Sequence, residues 1–126
     1  MFRITAVAAT VVFAGACSDP DPRTETAYCG QIAENLEDLN SPVISDITDI
    51  GRVLRAWRAV AAAAPVAVEA EWDTMVDAME TAITVDPNEP ESLHKVADTA
   101  RASEPAAKRV VSYTQERCGL TIGVAP

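Results

Sequence analysis

Histidine occurs once in this 126-residue chain, lysine twice, and aromatic residues make up only 5% of it. Each shortage removes something. With His94 as the sole imidazole, and with no serine in a G-x-S-x-G elbow, the usual partnership of nucleophile, base and orienting group has no candidate set. The three cysteines, Cys17, Cys29 and Cys118, show no C-x-x-C spacing, and His94 belongs to a different segment, so a zinc centre is not expected. No apolar run approaches the roughly 20 residues that cross a bilayer. Alternating apolar and polar residues of the kind that build strands are missing, and no internal repeat is visible. Few aromatics together with abundant alanine favour closely packed helices over a β-sandwich.

Positive charge is also in short supply. The net charge is −9, and losing the +1 of Arg3 with the leader described below takes it to −10. A domain this acidic repels phosphate backbones, which excludes sequence-general nucleic-acid binding.

What is present at the start reads as an export signal. Arg3 supplies a minimal positive region, Ile4–Phe13 a short apolar one, and Ala14-Gly15-Ala16 the small residues needed for cleavage. Two processing routes fit residues 1–16. In one, "FAGAC" resembles a bacterial lipoprotein signal with Cys17 as the acylated residue, although Ala14 stands where a larger aliphatic is usual. In the other, Ala14-x-Ala16 is a plain signal and the protein is released. The segment 17–26, acidic and twice broken by proline, reads as a solvated tether.

The helical domain is expected over residues 27–122. One stripe runs Tyr28, Cys29, Ile32, Leu36, Leu39 and ends at Asn40-Ser41-Pro42. A second helix, capped by Ser45 or Asp46, carries Ile47, Ile50, Leu54, Trp57 and Ala61 up to Pro65. A third carries Val68, Trp72, Met75, Val76, Met79 and Ile83. The loop Val85–Ser92 follows, with Ser92 as cap for a short fourth helix holding Leu93, Val96, Ala97 and Ala100. Ser103 then caps a last helix with Pro105 in its first turn, the stripe Ala107, Val110, Val111, Thr114, Cys118, and Gly119 as its stop. The fold expected is all-α, an up-and-down bundle of four to five helices.

Three expectations follow from that pattern. Trp57 and Trp72, on either side of Pro65, should reach the same level of the core as packing residues. Cys29 and Cys118 lie on the apolar stripes of the terminal helices, so in an exported protein they should form a disulfide closing the bundle. Cys17 is then the cysteine left over.

The remaining polar residues form no strong motif. Asp73, Asp77 and Glu80 fall on one polar helix face, and Asp86, Asn88, Glu89 and Glu91 lack both the spacing and the glycine of an EF-hand. His94 reads as a surface residue. Arg52, Arg55 and Arg58 form a basic strip. It either pairs with Glu34, Glu37 or Asp38 on a neighbouring helix or serves as contact for an acidic or phosphate-bearing partner.

The stretches "RVVSYTQERCGLTI" and "AAAAPVAVEAEW" resemble a group of small exported or lipid-anchored helical proteins of actinobacteria. In that group an aromatic residue precedes a terminal Cys-Gly-(Leu/Ile), here Tyr113, Cys118, Gly119 and Leu120, and an early cysteine corresponds to Cys29. The resemblance implies a secreted helical domain closed by a disulfide and assigns no activity. The function expected is a non-enzymatic binding or structural role at the cell envelope, without cofactor or metal. The protein is either held at the membrane by lipid or secreted, with an envelope protein as possible partner. The alternatives are a small extracytoplasmic hydrolase or its accessory, and a carrier of a lipid or small apolar ligand. A carrier should enclose an apolar cavity, lined by Met75, Met79 and Val110.

Overall fold

The computed structural model describes residues 23–40 and 45–123, the Ile47 side chain excepted. The expected signal peptide 1–16, Cys17 and most of the expected tether lie outside these residues. Within them the protein is all-α. Helices α1 (Glu25–Glu34), α2 (Leu36–Asn40), α3 (Ile47–Ala63), α4 (Glu69–Ile83) and α5 (Pro90–Cys118) form an up-and-down bundle.

Local chemistry explains most of the boundaries. Thr24 Oγ1 accepts from the Ala27 amide at 3.1 Å and starts α1 at Glu25, two residues before the expected domain boundary at 27. Residues 25 and 26, expected in the tether, are therefore helical. At Asn35 the first helix breaks into two where one was expected. The Asn35 side-chain amide donates to the Gln31 carbonyl at 2.8 Å, which also keeps its bond from the Asn35 backbone amide at 3.1 Å. Asp46 and Asp49 form a reciprocal capping box at the start of α3.

The last two expected helices are one. Helix α5 runs unbroken through Ser103 and Pro105, with Glu89 as its N-cap and Pro90 in its first turn. Ser92 does not cap it; its hydroxyl accepts from the Asp86 amide at 2.9 Å and ties the preceding loop instead. Ser103 hydrogen-bonds back to the Ala100 carbonyl at 2.8 Å, inside the helix. Packing of α5 along the whole of α4 outweighs the local break signal of Pro105.

Helix α4 packs between α3 and α5, and α1 bridges α3 and α5 from the other side. Tyr28 and Ile32 from α1 meet Val60 from α3, Trp72 from α4 and Val110 from α5, all essentially sealed from water. Cys29 and Cys118 are bonded, with Cα atoms 5.4 Å apart, closing the bundle as their stripe positions require. Gly119, at φ 65°, takes the left-handed conformation that stops α5, and its amide donates to the Gln115 carbonyl. The chain then folds back. Ile122 enters the core, and Asn40 clamps the returning segment by donating to the Thr121 carbonyl and accepting from the Gly123 amide, both at 3.0 Å.

Candidate functional site

Helix lengths leave one face of the bundle open. At about 1.5 Å per residue, the ten residues of α1 span roughly 15 Å and the 29 of α5 roughly 43 Å. Among the described residues, no Cα atom of α3 lies within 8 Å of a Cα atom of α5. Where α1 ends, no helix of comparable length among the described residues continues between them, and a furrow remains over α4.

The furrow is lined by small and flexible apolar side chains. One hollow of about 210 Å³ lies among Trp57, Met75, Met79, Ala82, Ala100 and Ser103. A second, of about 220 Å³, shares Trp57, Met75 and Ala107 with the first and continues to Leu39, Val111 and Ile122. Glu104 and Lys108 flank its lower mouth beside Val111 and Gly123. The methionines give adaptable walls, and the alanines let an incoming group approach the helix backbones. Met75 and Met79, two of the residues expected to line a carrier's cavity, line these open hollows. The third, Val110, is buried in the core, and its neighbour Val111, about 100° further round the helix, faces the furrow.

Trp57 and Trp72 meet edge to face at the furrow's floor, with ring centroids 6.2 Å apart and planes at 90°, the shared level that the turn at Pro65 requires. Their polar atoms fare differently. Trp72 Nε1 donates to Tyr28 Oη at 3.0 Å, and Tyr28 Oη lies 2.7 Å from Thr114 Oγ1, so α4, α1 and α5 are joined by one buried chain. Burial raises the Tyr28 pKa above its ordinary 10.0, although both hydrogen bonds oppose the shift. Trp57 Nε1 is buried with no acceptor among the described residues.

The basic strip on α3 splits. Arg52 pairs with Asp38 on α2, one of the acids expected for it, and with Asp49 at 3.8 Å. The Asp38 hydrogen bond raises the Arg52 pKa. Asp49 is held below the ordinary carboxyl range, chiefly by the Ser45 amide donating to it at 2.7 Å. Arg58 reaches across to Glu80 on α4 at 2.6 Å, a partner the sequence did not suggest. Arg55 is exposed and makes no hydrogen bond or ion pair among the described residues. Asp73 and Asp77 lie exposed on α4, and His94 lies exposed near the start of α5, at the far end of the bundle. No cluster of three or more metal-ligating side chains occurs among the described residues, and none of their helices is long and apolar enough to cross a membrane.

Comparison with known protein families, with curated proteins and with solved structures returns no match. The furrow and the chemistry around it therefore carry the functional argument.

Proposed function

We propose that this protein is a non-catalytic binding domain of the cell envelope, exported by its leader, held at the membrane by lipid on Cys17, and working through a protein partner. The observation that carries the reading is the open furrow between α3 and α5. Its position corresponds to the missing upper half of the fourth helix of a bundle, so an amphipathic helical segment of the partner suits it best. The chain's net charge of −9 favours a partner helix whose polar face is basic. The Cys29–Cys118 bond supports the compartment, because disulfides persist outside the reducing cytoplasm. Arg55, with Arg52 and Arg58 beside it, provides a second contact of opposite sign for acidic groups flanking that helix.

A photoreactive residue at Met79, in the furrow, tests this in intact cells against one at Asp73, exposed on α4. The expected result is one protein adduct from position 79 only, mapped by mass spectrometry to a basic amphipathic helix. Adducts to lipid alone, or equal labelling from both positions, would overturn the reading. Intact mass of the membrane-extracted protein checks the anchor separately: acylation of Cys17 is expected, and an unmodified released chain would end that part of the proposal.

A further inference from the structure

The most exposed large apolar side chain among the described residues is Val66, at 88%. It stands at the tip of the α3–α4 turn, between half-buried Pro65 and exposed Ala67. A lone exposed valine is unremarkable on a protein surface. This turn differs in how its backbone is finished. Arg23 Nη1 donates to the Ala64 carbonyl at 3.2 Å, and Arg109 Nη2 donates to the Ala67 carbonyl at 3.1 Å. The Pro65 carbonyl accepts from the Val68 amide at 3.0 Å, and Pro65 itself has no N–H. Three of the turn's carbonyls are thus satisfied inside the protein, which lowers the cost of moving the turn out of water.

Three ion pairs lie at this end. Arg23 pairs with Glu69 at 3.1 Å, Arg109 with Glu71 at 2.7 Å, and Arg117 with Glu25 at 3.8 Å. Their pairing lowers the repulsion between these carboxylates and an anionic surface. Arg23 also fixes where the chain enters the domain. It lies six positions after Cys17, a reach of about 20 Å at full extension.

We propose that the Pro65–Ala67 turn is the face on which the domain rests against the lipid bilayer. Val66 enters the interface, and the guanidinium groups of Arg23 and Arg109 lie at headgroup level. This orientation rests on the anchoring reading above and adds to it: the tether alone would let the domain tumble, whereas the turn sets which way it faces. The furrow's upper hollow, reaching Ala82 and Ala100, then points away from the membrane.

The test uses the full chain with the disulfide intact, where Cys17 is the one remaining thiol, coupled to phosphatidylcholine vesicles doped with a maleimide-bearing lipid. A photoreactive phenylalanine analogue replaces Val66 in one sample. In another it replaces Leu93, the other exposed large apolar residue among those described, at the far end of the bundle. Lipid adducts from position 66 should exceed those from position 93 by about tenfold, the ratio that burial of one valine side chain supports. Amide exchange at 64–68 should slow on vesicles, and Val66→Asp should abolish the slowing while leaving the soluble melting curve unchanged. Equal adduct yields, or exchange at 64–68 indifferent to vesicles, would overturn the proposal. Because the link to lipid is made chemically, this outcome does not depend on whether cells acylate Cys17, which the intact-mass measurement decides.

Discussion

Tyr28 Oη lies 2.7 Å from Thr114 Oγ1, and their helices are joined a second time by the bond between Cys29, the next residue, and Cys118, one turn on. The two links differ in kind. The disulfide restricts the unfolded chain. The hydrogen bond acts in the folded state by satisfying buried polar groups that would be costly alone.

Replacing both cysteines by alanine should destabilise the domain by about 2–4 kcal/mol, with loop-closure entropy for a separation of 89 residues setting an upper figure of about 4–5 kcal/mol. Thermal unfolding measures this directly. An unchanged midpoint would mean that the reduced chain already holds its ends together.

Tyr28→Phe keeps the ring and removes the hydroxyl that serves both Trp72 Nε1 and Thr114 Oγ1. A loss of about 1–3 kcal/mol is expected from the groups left unpaired. Adding Thr114→Val removes one of those orphans, so the double variant should cost less than the sum of the two single ones. Denaturant titrations of all four chains give the coupling.

The same hydroxyl has a pH signature. Burial raises the Tyr28 pKa above 10.0 in the folded state, so its stabilising contribution is complete below pH 10 and lost as pH rises through the folded-state value. Unfolding free energies of the native chain and of Tyr28→Phe should therefore converge above pH 10. A constant gap across that range would contradict the burial of the group.

The two tryptophans should respond unequally to phenylalanine. Trp72→Phe loses a fully buried indole and its hydrogen bond to Tyr28, at about 3 kcal/mol. Trp57→Phe removes a donor that has no acceptor among the described residues, and about 1 kcal/mol is expected. Chemical unfolding monitored by circular dichroism avoids relying on the fluorescence being altered.

Pro105 cannot donate to the Arg101 carbonyl from within α5. Because the site is exposed, Pro105→Ala should stabilise the domain by about 1 kcal/mol or more, read as a higher melting temperature.

Features written in helical periodicity were legible in the sequence: the stripes, the pairing of Cys29 with Cys118, the level shared by Trp57 and Trp72, and Gly119 as the stop of α5. The misread boundaries share a cause. Ser92, Ser103 and Pro105 are local signals, and at each the outcome depended on partners the stripe does not name: Asp86 for Ser92, the Ala100 carbonyl for Ser103, and the α4 surface for the helix as a whole. At Asn35 the helix breaks although its stripe continues and the backbone bond to Gln31 is kept. The furrow was half legible. Met75 and Met79 were assigned to an apolar site, but one step of helix rotation separates Val110 in the core from Val111 in the furrow. The fold-back that buries Ile122 follows an αL glycine with no periodic pattern of its own.

The position of the disulfide also decides how the domain carries tension. A pull along the chain from the N-terminal side enters α1 at Glu25 and reaches Cys29 four residues later. From there the covalent path crosses to Cys118 and leaves through residues 119–123. Helices α3 and α4 and most of α5 hang from that short path as a slack loop. Load leaving through residues 119–123 would reach the furrow only at Ile122 and Gly123, its lower wall, and spare the upper hollow.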